Sequence, residues 1–569
     1  MRKYLHIKLE NQSVDTKELN GEEIASAGRH LIARTLLADG VATVDPLSAD
    51  NPLMFSAGPF AGTNMSNGNR LSVGCKSPLT GGIKESNTGG TFAVALGHQG
   101  LAGFTLHGAS DQWVVIHLAR DGTITFDDAS PYMGKTNFDA AAMLHEKYGK
   151  KISLALCSPV GEYQGLVAAI AFSDRENRPV RFAGRGGVGA VMGSKKVKAV
   201  VVEMNRMPEL HDKKKTIATV RDYAAKLEAE PAVQNMKKLG TAMVADMTNY
   251  TGGLPTRNFT SGQFVDIDKG TLELGGQHIH DLNVERGGDP SHACMPGCVI
   301  KCSNVYVDKN GEEMVSPLEY ETLCLMGSNC GVGDPDDVAR LNVIANDIGV
   351  DTIEVGAVLG ILMDAGHAEY GDVEFMTSAL KDIGEGNENG RLLSQGAARV
   401  GEHYGIKRVP VIKKQSLSAY DPRVIEVTAI SMMVTAQGAD HTVGNLPAFE
   451  CADKTVKELT KESFDMLVYS AVADSLGLCL FGRVVTNPQH WLIAEGINNA
   501  HGTDLDADFI WNIGVEVLRL EKQFNETAGF TEADDELPAF FHEEALPPTQ
   551  RQARLKAAEV NQYINDLLG

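Results

Sequence analysis

The sequence predicts an α+β fold, with a β-rich N-terminal domain followed by two mainly α-helical domains. Three observations carry this. Up to about residue 204, short runs of β-branched and aromatic residues alternate with turn residues. From residue 213 onward the apolar positions fall three or four apart, the helical period. Gly or Pro then stands at many of the breaks between periodic segments.

Taken in order, the strand signals are Phe104–His107, Trp113–His117, Thr123–Phe126 and Val197–Val202. The texture changes after Met207-Pro208, which sets a first domain at 1–204. Helical periodicity begins with Lys213–Leu227 and continues over 336–347, 352–365, 391–404, 424–436, 463–477, 507–526 and 551–568. Pro410 and the polar stretch up to Pro422 divide this part into domains 205–408 and 409–569.

Composition narrows the function. With 52 Lys+Arg against 74 Asp+Glu the formal charge is −22, which excludes a general nucleic-acid binder. An apolar fraction of 43% supports a large core rather than disorder. Apolar stretches such as Val355–Met363 fall short of the roughly 20 residues of a membrane span. The charged start Met1-Arg-Lys-Tyr-Leu-His has no apolar leader region, so the expected compartment is the cytoplasm.

Nine Cys are too sparse for a disulfide framework, yet Cys294, Cys298 and Cys302 bunch together. On a straight helix the first and third lie about 12 Å apart at 1.5 Å rise per residue. Pro296-Gly297 breaks that helix and permits a loop around a metal centre. An iron–sulfur cubane needs a fourth ligand from elsewhere, and Cys479 and five other Cys stand singly along the chain. A structural zinc site with three near cysteines and one remote ligand stands beside it, as does bunching by coincidence.

Further segments join these cysteines: Gly58-Pro-Phe-Ala-Gly-Thr63, Arg70-Leu-Ser-Val-Gly-Cys-Lys76, Ser86-Asn87-Thr-Gly89-Gly90, and Ala183-Gly184-Arg185-Gly-Gly, which leads into Gly-Ser194-Lys195. The last is neither a P-loop nor a G-x-G-x-x-G fingerprint. In order and spacing these resemble the aldehyde ferredoxin oxidoreductase family over nearly the whole chain. The resemblance implies tungsten, or molybdenum, between two pterin dithiolenes beside a [4Fe-4S] cluster held by Cys294, Cys298, Cys302 and Cys479. The first cysteine spacing is x3 where the family archetype has x2.

The resemblance also assigns one glycine-ended motif to each pterin. These stand as Asn346-Asp-Ile-Gly349-Val-Asp351 and Asp474-Ser-Leu-Gly477-Leu478-Cys479. Each glycine falls where a left-handed residue ends a helix, and Asn346 replaces an expected Asp. Arg70, Lys76, Asn87, Gly89, Gly90, Ala183, Gly184 and Arg185 are then implied to cradle the pterins and their phosphates. The Asn87 and Ala183 carbonyls are implied to hold a bridging magnesium ion. Taken alone, these glycines read as tight turns.

For acid–base work the resemblance points to Glu319 and Glu321 in Pro317-Leu-Glu-Tyr-Glu-Thr, and to His441 in Gly438-Ala-Asp-His. A strand would send both glutamates to one side; a helix start would separate them by about 200°. Cys324 and Cys330 lie just beyond, where the aryl-CoA reductase branch places a metal-ligating Cys; otherwise they read as core. Lys195–Lys198 and Lys213–Lys215 are candidate positive patches for an acidic electron partner. The implied activity is oxidation of aldehydes to carboxylic acids, reversible with a low-potential donor, with ferredoxin or a ferredoxin-like subunit as partner. Hydroxycarboxylate oxidation, an aryl-CoA reductase tungsten subunit and a non-catalytic iron–sulfur scaffold are the alternatives. Homo- or hetero-oligomerisation stays open.

Overall fold

A computed structural model describes residues 1–569. Two six-stranded sheets form the N-terminal part. In the first, Arg2–Lys8 lies between Ser13–Leu19 and Leu101–His107, and the order continues through Leu53–Ala57, Leu71–Lys76 and Ile83–Thr88. In the second, the order is Arg181–Ala183, Ile170–Phe172, Ile152–Cys157, Val197–Glu203, Val114–Leu118, Ile124–Asp128. The helix Phe92–His98 touches strands of both sheets. Around it Phe55, Phe92, Phe104 and Phe172 form one aromatic core, with Phe55 stacked on Phe104 at 4.5 Å. Strands covered on both faces read as continuous apolar runs, and Leu53–Ala57 is buried throughout.

The rest of the chain is helical, apart from a small three-stranded sheet and the hairpin Val411–Ser416. Helices on either side of residue 408 share one apolar core. Val456–Leu476 and Ala507–Thr527 pack together, and the helix Gly28–Ala38 from the N-terminal part lies against both. No single helix is long and apolar enough to cross a membrane.

Several predicted bounds shift for physical reasons. The segment predicted as one helix over 391–404 is two, Glu388–Leu393 and Ala397–Tyr404. They are separated by Gly396 at φ +86°, and the buried Glu354 caps the second by accepting from Ala397 N at 2.9 Å. The last helix begins at Ala557 rather than 551, where Glu536 accepts from Ala557 N at 3.0 Å. Val456–Leu476 starts a turn or two before the predicted 463 because Thr455 and Glu458 form a capping box. The helix Val373–Glu385 was not predicted.

Lys195–Lys198 is not the surface patch that its charge suggested. Lys195 and Lys198 are buried, Lys195 Nζ on Gly108 O at 2.9 Å and Lys198 Nζ on Glu162 Oε1 at 2.5 Å, because the strand Val197–Glu203 lies inside its sheet. Lys213–Lys215, at a helix start, are exposed.

Candidate functional site

The site is built on the last two strands of the first sheet and two helix ends. Leu71–Lys76 and Ile83–Thr88 pair antiparallel, with Ser72 opposite Asn87. Arg70, just before the first strand, reaches across to Asn87: Nε donates to Oδ1 at 2.5 Å and Nη2 to the carbonyl at 3.2 Å. Asn87 Nδ2 in turn donates to Asp474 Oδ1 at 3.1 Å. The other oxygen of Asp474 accepts from Arg29 Nη1 at 3.3 Å, and Arg29 is also held bidentately by Glu521 at 2.7 and 2.8 Å. Burial pushes the Asp474 carboxyl up to about 6 although Arg29 and Arg70 oppose it.

Gly477 at φ +66° ends Val456–Leu476, and its carbonyl accepts from Arg70 N at 3.0 Å. A Cβ on Gly58 would come within 2.1 Å of Leu476 O, so only glycine lets this helix end approach the sheet. Leu478 is buried beside it. Gly349, at φ +68°, likewise ends Pro335–Ile348. Beyond it Asp351 caps the next helix through Ile353 N at 3.0 Å and accepts from Arg185 Nε at 3.1 Å. Asn346 is placed differently from Asp474: it borders a cavity of about 230 Å³ with Phe138, Val180 and Met314.

The cysteines come from these same surroundings. Pro296-Gly297 does break the chain, Gly297 standing at φ +81°. Cys294 O accepts from Gly90 N at 3.0 Å, and a Cβ on Gly89 would lie 3.2 Å from Cys294 Sγ. Cys479 N donates to Asn67 O at 2.8 Å, and its carbonyl accepts from Asn67 Nδ2 at 3.1 Å. Cys298 and Cys302 are buried. Burial, then the neighbouring Cys298, pushes the Cys294 thiol up to about 12. Cys302 is raised well above the usual thiol range by burial, then by Cys294, Cys479 and Glu319. The four thiols therefore gather in one region, but no three His, Cys, Asp or Glu side chains converge closely enough to hold a single ion. Four thiols from one region are a donor set that fits an iron–sulfur cluster as well as a tetrahedral zinc.

A helix begins at Tyr320 with Glu319 as its extended N-cap, so the two glutamates diverge. Glu319 lies where Arg181, Arg70 and His441 pull its carboxyl down against the larger upward push of burial. Glu321 Oε2 accepts from Ala419 N at 2.9 Å. Its Oε1 is buried without a partner, 3.7 Å from His441 Nε2. Burial raises the Glu321 carboxyl and His441 opposes the shift. On the far side of the imidazole, Nδ1 meets Ser418 Oγ at 3.1 Å. Directly after Glu321 the chain makes a π-helical turn, Leu323–Gly327, a deviation that recurs at functional sites. Cys324 is buried in that turn and Cys330 Sγ donates to Leu325 O and Gly356 O.

Not every sequence candidate meets the others. Lys76 stands at the opposite end of its strand from Arg70, about 20 Å away at 3.3–3.4 Å per residue. Its Nζ donates to Ala42 O at 2.7 Å and Val44 O at 2.9 Å. Arg185 is buried and its guanidinium is engaged with Asp351, Ser416, Ser418 and Ala439. Ala183 closes an edge strand beside Ile83–Thr88, with Gly184 after it.

Sequence reasoning missed Arg181. It is 6% exposed, donates once, to Ser303 Oγ at 3.1 Å, and leaves Nε and Nη2 without partners. It acts on Cys294 and Glu319 electrostatically. A buried cation with idle donors is costly unless an anion completes it, so Arg181, Arg70 and the Gly89-Gly90 turn fit a phosphate-bearing cofactor. The signal was available: Arg181 and Ala183 lie two apart on one strand and share a face. Lys84 and Glu85, buried charges on Ile83–Thr88, were missed too.

Residues 4–204 match the family model for the aldehyde ferredoxin oxidoreductase N-terminal domain, and 218–567 match that for its domains 2 and 3. The tungsten-containing aldehyde ferredoxin oxidoreductase of Pyrococcus furiosus is 31% identical, covering 96% of this chain and 92% of its own. The WOR-like subunit of an aliphatic sulfonate oxidoreductase from the same organism is 26% identical over 99% of this chain and 94% of its own. In fold, the chain superposes on the BamBC active-site complex of benzoyl coenzyme A reductase with TM-score 0.83 and 19% identity, covering 100% of this chain and 95% of that one. The chain thus belongs to the aldehyde ferredoxin oxidoreductase family, a family of oxidoreductases.

Proposed function

We propose that this protein is a tungsten-dependent oxidoreductase that converts aldehydes to carboxylic acids, reversibly with a low-potential donor, and passes electrons to ferredoxin or a ferredoxin-like subunit in the cytoplasm. The observation that carries the reading is the unpartnered Glu321 Oε1 facing His441 Nε2 at 3.7 Å. Cys294, Cys298, Cys302 and Cys479 would hold a [4Fe-4S] cluster. Arg70, Arg181, Gly89, Gly90, Asp351 and Asp474 would border the bis-pterin, and the Asn87 and Ala183 carbonyls would serve a magnesium ion between its phosphates. When bound, these groups supply a two-electron sink and a one-electron exit.

Aldehyde and water yield carboxylate, two electrons and three protons. Glu321 is suited to accept one of those protons: Ala419 N fixes one oxygen, and burial raises the basicity of the other. His441 Nε2 would donate a hydrogen bond to the substrate oxygen as negative charge builds on it. Ser418 holds the opposite ring nitrogen and so the ring plane. Glu319, nearer the cysteines, balances the Arg70 and Arg181 charges.

The test is anaerobic purification, metal and pterin analysis, and dye-linked aldehyde turnover. Aldehyde oxidation with about four Fe per chain and bound tungsten supports the reading. Turnover of hydroxycarboxylates or aryl-CoA thioesters instead would reassign the reaction. Iron without tungsten, molybdenum or pterin would make the chain a scaffold.

A further inference from the structure

Arg185 came to notice as a phosphate-binding candidate, but its surroundings assign it another task. The guanidinium is buried and each of its three nitrogens donates. Nε donates to Asp351 Oδ2 at 3.1 Å, Nη1 to Ala439 O at 2.7 Å and Ser418 Oγ at 3.2 Å, and Nη2 to Ser416 O at 2.8 Å. Glu354 adds a carboxylate at 3.7 Å. Three of these contacts converge on His441. Ser418 Oγ is the group that meets His441 Nδ1, Ala439 lies two residues before the histidine, and Ser416 ends the hairpin strand that leads to Ser418.

A second buried cation works on the same loop. Lys84 Nζ donates to Asp440 Oδ2 at 2.5 Å. Asp440 Oδ1 in turn accepts from Thr442 N at 3.1 Å and lies 3.6 Å from His441 Nδ1. Burial pushes the Asp440 carboxyl up, yet Lys84 and Arg185 outweigh it and hold the group far below the usual range. The segment 439–441 is therefore gripped from the N-terminal part by two side chains, Lys84 on the strand Ile83–Thr88 and Arg185 in the turn after Arg181–Ala183.

We infer that Arg185 is a positioning residue for His441, acting through Ser418 and the Ala439 carbonyl, and is not a cofactor-phosphate ligand. Because a hydroxyl that accepts from the guanidinium keeps its own hydrogen free, Ser418 can donate to Nδ1 and leave the N–H on Nε2, the nitrogen that faces Glu321. Asp351 then does two jobs: it caps its helix and orients the arginine that orients the histidine. This rests on the reading of His441 as the oxyanion partner, and the experiment separates the two.

Arg185→Lys, Arg185→Gln and Ser418→Ala are made in the full chain, each alone and with His441→Asn, and loaded with cofactors anaerobically. Tungsten, iron and pterin contents are expected to match wild type in the single variants. Turnover per tungsten should fall about 10–100-fold in Arg185→Gln and less in Arg185→Lys, with kcat rather than KM carrying the loss. In the His441→Asn background none of the three changes should cost more than about threefold further. Loss of pterin or tungsten with unchanged turnover per remaining tungsten would overturn the inference and restore a phosphate role. Multiplicative losses in the double variants would overturn it alone, leaving His441 catalytic. Unchanged turnover per tungsten in His441→Asn by itself would overturn both readings. Should the arginine variants fail to accumulate, Ser418→Ala reads the same link by removing one hydroxyl.

Discussion

The two glycine-ended motifs share a local design and differ in everything the tertiary structure adds. Gly349 and Gly477 stand at φ +68° and +66°, each closing a helix. Each motif keeps a buried carboxylate, Asp351 or Asp474, next to an arginine and a buried glutamate: Arg185 with Glu354 at one, Arg29 with Glu521 at the other. From there the networks part. Asp351 leads through Arg185 to the His441 loop, whereas Asp474 leads through Asn87 to Arg70 on the sheet, and its motif ends in a cysteine. Two copies of one backbone solution thus carry two different side-chain networks, because a helix cap fixes local direction while the side chains take whatever partners the fold delivers.

The comparison breaks most visibly at its last residue. Cys479→Ser should strip or destabilise the cluster, lowering iron from about four per chain, while Cys157→Ser, buried in the N-terminal core, should leave iron unchanged. Equal iron loss in both would place the fourth ligand elsewhere. Asp351→Asn is the counterpart: iron per chain should stay at wild-type level, and turnover per tungsten should fall roughly tenfold as Arg185 loses an anchor. Iron loss here would show that the two motifs are not specialised.

A smaller effect concerns pH. Burial, then Asp474, pushes the Glu85 carboxyl up to about 8, and burial pushes Asp474 up to about 6. Both folded values lie above the unfolded ones, so the native state binds more protons and stability falls as pH rises from about 4 to 8. Glu85→Gln should flatten that slope, gaining about 1–3 kcal/mol at pH 8 relative to wild type and almost nothing at pH 4. Denaturant titrations at the two pH values check it, and parallel curves would refute it. The smallest effect is expected at Lys76→Gln. With its ammonium on the Ala42 and Val44 carbonyls, it should cost about 1 kcal/mol in stability and leave pterin and tungsten contents intact. Loss of pterin would return Lys76 to the site.

Much of this was legible in advance. Apolar periodicity located most of the long helices, because a helix that buries one face must repeat near 3.6 residues. It overran at 391–404 and at 551–556, where Gly396 and a distant cap from Glu536 set the ends. The Thr455/Glu458 capping box was readable and was passed over. Charge misled in the N-terminal part. Lys84, Glu85, Arg181, Lys195 and Lys198 look like solvent-facing residues in a one-dimensional reading, yet all are buried.

By itself the sequence determined the order of β-rich and helical parts and both helix-ending glycines, which follow from residue type and short spacing that local sterics read directly. The grouping of the four cysteines and of Glu319 and Glu321 with a distant histidine came from the family resemblance. Only the tertiary structure decided that Glu321 rather than Glu319 faces His441, that Lys76 lies away from Arg70, and that Arg181 has idle donors while Arg185 has none. Such partnerships join positions up to hundreds of residues apart, and burial gives them their energy. Whether a charge is free or engaged is settled only when the chain has folded around it.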